Sequence, residues 1–364
     1  MRCPSRRNWF EQPPSRGILP GGPGDEWSAR TTSLRTTFPT TGSASPPVIL
    51  KRPVPIPIPD HAPTPSVWYE THRGTAYRAF AEQVLQDAEF QKRYRKKVQL
   101  IFTSPPFPLN RKKRYGNKNG ADYIEWLASF APLLREFLTH DGSVVMEIGN
   151  AWEPGSPVMS TLALEALLRF MKEGDFRLCQ QFICYNPARL PSPAQWVTID
   201  RIRVKDAYTH VWWMSPTDKP KADNRRVLRA YSPAMVKLLR RKKYNSGARP
   251  SQHSIGEKSF LTDNDGAIPP NVLTISNTKS NDPYQIYCRK QKLDSHPARM
   301  PTALPEFFIK FLTVPRNIVM DPFAGSNTTG AAAEALKRRW IAIEPSVDYL
   351  NGSIGRFPKE EVFT

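Results

Sequence analysis

Apolar residues in this chain recur with two different periods, and the switches between them outline its elements. Val98-Gln99-Leu100-Ile101-Phe102 is a short apolar run that stops abruptly at Thr103-Ser104-Pro105-Pro106-Phe107. Proline cannot continue a central ladder, so the pattern predicts a buried strand followed by a rigid turn. Over residues 122–138 the spacing becomes helical, with Leu127, Phe130, Leu134 and Phe137 on one face. Asp141-Gly142 then reads as a turn, and residues 143–148 as a second buried strand. A loosely helical stretch (77–94), a helix (161–171) and two strands (182–185 and 209–214) extend the series. Beyond Leu293 come a helix (303–312), a strand (317–320), a glycine-bearing turn, a helix (328–338) and a strand (340–343). Alternation of strand and helix predicts an α/β fold.

Two stretches break the pattern. Residues 1–66 hold fourteen of the 37 prolines, including Pro53, Pro55, Pro57 and Pro59. Proline at that density blocks helix and ladder alike, so a disordered or polyproline-II arm without chemistry is expected, with folded structure starting near Trp68. Residues 215–293 are polar, rich in Asn, Ser, Lys and Arg, and carry Arg240-Arg241-Lys242-Lys243 between Tyr231 and Tyr244. They read as a basic insertion that interrupts the α/β sheet.

Composition narrows the function classes. A length of 364 residues suits two domains, or one large domain with an insertion, and 39% apolar residues suffice for a core. No run of about 18 apolar residues is present, which excludes a transmembrane helix. The basic N-terminus lacks the apolar stretch of a secretory signal, so a cytoplasmic protein is expected. Fifty-two Lys and Arg against 33 Asp and Glu leave +19, which points to a polyanionic partner. Cys3, Cys179, Cys184 and Cys288 lie far apart with no His at metal-ligand spacing, so free thiols in a reducing compartment are expected and no metal site.

The strongest chemical signal is Asp321-Pro322-Phe323-Ala324-Gly325-Ser326-Asn327-Thr328-Thr329-Gly330, which follows a strand and opens a helix. Gly325 tolerates positive φ and close backbone approach, and the helix start offers unpaired N–H groups. Glu344 ends the next strand about twenty residues on, where an acid in dinucleotide-binding sheets accepts from ribose hydroxyls. The turn lacks both the Gly-Lys-Ser/Thr of a P-loop and the full G-x-G-x-x-G, so a nucleoside without a phosphate chain fits better. S-adenosylmethionine is such a ligand. A glycine-bearing connection with no ligand is the plain alternative.

Thr103-Ser104-Pro105-Pro106-Phe107 is the second element. Prolines after a strand make the Ser104 hydroxyl and the Pro105 carbonyl rigid acceptors beside the ring of Phe107. Two acceptors and a π-face suit a planar base with an exocyclic amino group, while Ser-Pro-Pro is also common in loops that carry no chemistry.

With both elements present, the chain resembles the DNA methylase family that modifies exocyclic amino groups. It has the permuted order in which Ser-Pro-Pro-Phe precedes the Asp-Pro-Phe-x-Gly turn, and it is most similar to the cytosine-N(4) members. Arg111-Lys112-Lys113, Tyr115-Gly116-Asn117 and His296-Pro297-Ala298-Arg299-Met300-Pro301 add to the resemblance, which runs from about Trp68 to Phe357. It implies a Rossmann-like S-adenosylmethionine-dependent methyltransferase sheet with a basic target-recognition insertion. Ser104, Pro105, Pro106 and Phe107 would hold the flipped base. His296, Pro297, Asp321, Phe323, Gly325, Ser326, Asn327, Thr328 and Glu344 would form the cofactor site. One departure is visible: many members carry Gly-Asp where Ala79-Phe80 stands, which leaves an adenine-side contact without its usual residue.

Ser104 favours cytosine, since adenine-modifying relatives usually place Asp or Asn there. Methylation of a ring carbon needs a thiolate, usually after proline, and none of the four cysteines follows one. The insertion is the expected reader of duplex DNA, with Arg225, Arg226, Arg240, Arg241, Lys242 and Lys243 on phosphates. The expected division is an arm (1–66), a catalytic half (67–214), a recognition region (215–293) and a cofactor half (294–364). The expected function is cytosine-N4 methylation of DNA, beside a restriction endonuclease of the same specificity. An adenine-N6 methyltransferase and a catalytically silent DNA-binding regulator are the alternatives.

Overall fold

The computed structural model describes residues 54–107, 120–244, 246–248, 250–251, 253–256, 260–276 and 282–363. Residues 1–53 of the arm expected over 1–66, and the segment with Arg111-Lys112-Lys113 and Tyr115-Gly116-Asn117, lie outside the described residues.

In chain order the elements are β1 (Ser66–Glu70), β2 (Gly74–Arg78), α1 (Ala81–Gln86), α2 (Ala88–Tyr94), β3 (Val98–Thr103), α3 (Gly120–Phe137), β4 (Leu138–Gly149) and α4 (Leu162–Gly174). Then come β5 (Arg177–Tyr185), β6 (Tyr208–Ser215), α5 (Pro233–Arg241), β7 (Gly247–Ala248), β8 (Ser254–Ile255), β9 (Val272–Thr274) and α6 (Pro283–Gln291). The chain closes with α7 (Ala303–Leu312), β10 (Ile318–Asp321), α8 (Thr328–Ala335), β11 (Arg339–Glu344) and α9 (Val347–Ile354).

Among the described residues nine strands make one sheet in the order β1-β2-β11-β10-β3-β4-β6-β5-β9, and β7 pairs with β8 apart from it. From β2 to β4 every pairing is parallel, while β6 runs antiparallel to both β4 and β5. Residues of the central strands alternate between two cores. Val98, Ile101, Val144, Met146 and Met320 face the cluster under α1 to α4. Leu100, Phe102, Val145, Val319 and Trp340 face the cluster under α7, α8 and α9. Helices on both faces of a largely parallel sheet account for β3 being buried throughout. This is the mixed α/β fold expected.

Four expectations change. Folded structure begins before Trp68: Ile56 is buried, its N–H donates to Gln86 Oε1 at 2.8 Å and its carbonyl accepts from Gln86 Nε2 at 3.0 Å. A proline-rich backbone cannot join a ladder, but a side-chain amide on α1 satisfies it as well. Second, residues 77–94 are not one helix: β2 ends at Arg78, and α1 and α2 are separated at Asp87, whose carboxylate caps α2 by accepting from Phe90 N at 2.7 Å. Third, Asp141-Gly142 lies inside β4 at an irregularity of the β3–β4 register. Its backbone is held from outside the strand, with Lys221 N donating to the Asp141 carbonyl and Ser215 Oγ to that of Gly142. Fourth, the basic region is not wholly an insertion. β9 joins the main sheet beside β5, and Tyr284 and Cys288 of α6 are buried against α9 at Gly352.

Candidate active site

β3 and β10 are neighbours, with Leu100 opposite Val319 and Ile101 opposite Met320, so their carboxyl ends reach the same edge of the sheet. Ligands in open α/β sheets bind at such an edge where the connections diverge. Thr103 Oγ1 donates to Asp321 Oδ1 at 2.8 Å, between two buried residues. That bond joins the serine-proline elbow to the glycine turn across 218 positions of sequence. Both open on one cavity of about 1210 Å³ that includes Ser104, Pro105, Pro106, Phe107, Phe323, Gly325 and Glu344 in its wall.

Gly325 has φ +52°, and a Cβ there would lie 3.1 Å from His296 Nε2. Glycine is favoured both by the left-handed backbone and by the ring against it. The His296 ring packs edge-on against Tyr349, and its backbone N–H donates to Tyr284 Oη. The sequence pairing of His296-Pro297 with the glycine turn is therefore a spatial one. Glu344 accepts from Gly325 N and Ser346 N, each at 2.9 Å. Burial still raises its pKa to about 7, because two backbone donors only partly replace water.

Other residues of the turn are committed within the protein. Asp321 accepts from Thr103 and Thr329 hydroxyls and from Phe323 N, and burial raises its pKa to about 6. Its carboxylate is thus a latch between strand and turn. Asn327, expected among the cofactor contacts, adopts φ +50° as the N-cap of α8 and is absent from the cavity wall. Its Oδ1 accepts from Gly330 N and its Nδ2 donates to Tyr69 Oη, so no side-chain polar group is left over. Ser326 and Thr328 line the cavity, with Arg356 Nη2 donating to Ser326 Oγ at 3.1 Å.

At the elbow Pro105 is buried, and Ser104 and Phe107 are half-buried. A Cβ on Gly149 would reach 3.1 Å from the Phe107 ring, so the end of β4 is bare to seat it. The residue missed at the sequence level is Glu147. It is buried on β4, its Oε1 accepts from Thr209 Oγ1 at 2.9 Å, and it hydrogen-bonds the Ser104 hydroxyl. Burial pushes its pKa up, while Arg189 on the cavity wall favours the ionised form. A single acid inside the run Val144-Val145-Met146-Glu147-Ile148 was the available signal, since a lone buried carboxylate needs partners.

The six basic residues expected on DNA lie off the cavity wall and behave differently from one another. Arg240, Arg241, Lys242 and Lys243 are exposed at the end of α5. Arg225 is exposed but forked onto Asp223 at 2.8 and 2.9 Å. Arg226 departs from the expectation: it donates to the Lys310 and Thr313 carbonyls at the end of α7, whose terminal acceptors lack helical partners. The proline-rich segment departs too, since Pro59, His61 and Pro63 are part of the cavity wall. The three described cysteines, Cys179, Cys184 and Cys288, are free thiols. Among the described residues no helix is long and apolar enough to cross a membrane, and no acidic, His or Cys cluster suits a metal.

Comparison with known proteins agrees with this geometry. Over 291 residues the chain is 44% identical to the type II methyltransferase M.PvuII of Proteus hauseri, spanning 79% of this chain and 85% of that protein. The solved structure of PvuII DNA methyltransferase (cytosine-N4-specific) superposes with a TM-score of 0.62 at 38% identity, covering 79% of this chain and 87% of the other. A shorter similarity, 43% over 63 residues, links 17% of this chain to 21% of the DNA adenine methyltransferase YhdJ of Escherichia coli (strain K12). The DNA methylase family matches residues 98–354, elbow and glycine turn included, and the chain belongs to that family.

Proposed function

We propose that this protein is a site-specific DNA methyltransferase that transfers a methyl group from S-adenosylmethionine to the N4 amino group of a cytosine swung out of the duplex. The observation that carries the reading is the Thr103–Asp321 bond, which puts an amino-accepting elbow and a nucleoside-type glycine turn on one cavity.

The residues present fit the cofactor. Glu344 offers a buried carboxylate to ribose hydroxyls, Gly325 leaves the backbone bare, and His296-Pro297 with Ser326 and Thr328 complete the wall. When bound, S-adenosylmethionine supplies an electrophilic methyl group. Ser104 Oγ and the Pro105 carbonyl accept hydrogen bonds from the two amino N–H groups of the base, with Phe107 against its face and Pro106 stiffening the turn. Cytosine's amino lone pair is delocalised into its ring, and accepting both protons favours the pyramidal nitrogen from which that pair is available. Ser104 donates its own proton toward Glu147, which makes its oxygen a better acceptor. The proton shed by the amino nitrogen passes to Ser104 as the serine proton moves to Glu147.

The exposed cations at the end of α5 suit duplex phosphates, which a protein of net charge +19 attracts. The same reading pairs the enzyme with a restriction endonuclease of identical specificity. It also assigns the protein to the cytoplasm, a compartment in which free thiols persist.

Incubation with tritiated S-adenosylmethionine and DNA, followed by nucleoside analysis, tests the reading. N4-methylcytosine is expected, and methyladenine or no incorporation would overturn it. Ser104→Ala is expected to bind cofactor normally and lose turnover by about 100-fold or more.

A further inference from the structure

The wall of the same cavity also includes residues of α1 and α3. β2, which leads into α1, lies three strand spacings from β3, about 14 Å at the usual separation. Glu344 ends β11, between the two. A nucleoside anchored at Glu344 with its reactive end toward Ser104 therefore has its base directed at that wall.

Glu82 on α1 is only 4% exposed, yet it is part of the cavity wall. Its Oε1 accepts from Trp126 Nε1 at 2.9 Å, and its Oε2 accepts no hydrogen bond from the described residues. Tyr123 also lines the cavity, 1% exposed, and its buried hydroxyl has no partner among the described residues. Burial raises the Tyr123 pKa, so the hydroxyl keeps its proton and is a donor. Tyr123 and Trp126 are one helical turn apart on α3, their rings 5.8 Å apart, and Trp126 packs against Phe323 at 5.5 Å. Buried polar groups left unmatched are costly, and the Tyr123 hydroxyl is one, on the same aromatic wall as the Glu82 carboxylate.

We infer that Glu82 and Tyr123 select the base of the bound nucleoside, with the Glu82 carboxylate accepting from an exocyclic 6-amino group and the Tyr123 hydroxyl donating to a ring nitrogen. This deepens the cofactor assignment above and rests on it. The chemistry discriminates by sign. A 6-aminopurine presents a donor beside an acceptor, whereas a 6-oxopurine presents the reverse and sets its carbonyl against a carboxylate. Selectivity of this origin reverses when the acceptor is exchanged for a donor.

Titration calorimetry with S-adenosylhomocysteine and S-inosylhomocysteine, which differ at that position, tests the inference on the full chain. The unaltered protein is expected to prefer the adenosyl compound by at least about tenfold. Glu82→Gln keeps an oxygen for Trp126, so folding is preserved, and it is expected to narrow or invert the preference. Tyr123→Phe keeps the ring packing and is expected to weaken adenosyl binding about fivefold. A preference unchanged in Glu82→Gln would overturn the inference while leaving the cofactor assignment standing. Equal affinity of the unaltered protein for the two compounds would do the same. Failure of the unaltered protein to bind either compound would overturn both.

Discussion

Replacing Thr103 with valine removes one hydrogen bond and almost no volume, which isolates the bond between strand and turn. Thr103 is fully buried and Asp321 is 4% exposed, so water cannot replace the lost donor. A hydrogen bond to an ionised acceptor contributes about 1.5–3 kcal/mol, and one between neutral groups about 1 kcal/mol. The Asp321 carboxyl titrates at about 6, raised by burial from an ordinary 3.8 and restrained by its three donors. Because its folded-state pKa lies above the unfolded one, its contribution to stability is complete at low pH and is lost as pH rises through about 6. Thr103 opposes that loss by favouring the ionised form. Thr103→Val is therefore expected to cost about 2 kcal/mol at pH 8 and about 1 kcal/mol at pH 5. Urea unfolding followed by tryptophan fluorescence at the two pH values measures the difference. An equal loss at both, or a loss confined to pH 5, would refute the electrostatic role of the bond.

Two further outcomes concern the same cavity, and two concern basic residues outside it. Ribose hydroxyls donate to the ionised form of Glu344, whose pKa is about 7, so affinity for S-adenosylhomocysteine is expected to fall below pH 7, approaching about tenfold per pH unit. Calorimetry between pH 5.5 and about 8 reads the slope, and Glu344→Gln should flatten it. Gly325→Ala forces a side chain into left-handed backbone and against His296, so a stability loss of about 1–2 kcal/mol with weakened cofactor binding is expected. An unchanged melting temperature together with unchanged affinity would contradict it. Arg226→Ala should lower stability and leave DNA affinity intact, because its guanidinium holds the end of α7. Neutralising Arg240, Arg241, Lys242 and Lys243 should instead reduce the salt dependence of DNA binding, by about 0.9 in log–log slope for each phosphate that is no longer neutralised.

Much of the architecture is legible in the chain alone. α7 spans the residues its periodicity marks, and β3 ends at the prolines that forbid its continuation. The elbow and the glycine turn are legible because proline and glycine act on their own backbone, whatever surrounds them. Elements with weaker local punctuation are not. Nothing adjacent to Asp141-Gly142 shows that Lys221 and Ser215 will hold it within a strand. Nothing in the prolines after Val54 shows that Gln83 and Gln86 will bind that backbone. Asn327 resembles a ligand-binding residue because it starts a helix, but its side chain is used by Gly330 and Tyr69.

Local residue order thus established the strands, the turns, their chemical character and the positive charge, since each follows from neighbours along the chain. Strand order decided the rest. Only when β3 lies beside β10 does Thr103 meet Asp321, only with β4 between β3 and β6 does Glu147 gain both Ser104 and Thr209, and only where α1 meets α3 do Glu82, Tyr123 and Trp126 share a wall. Hydrogen bonds and charges act over a few ångströms of space, so partners far apart in sequence become one site only through packing.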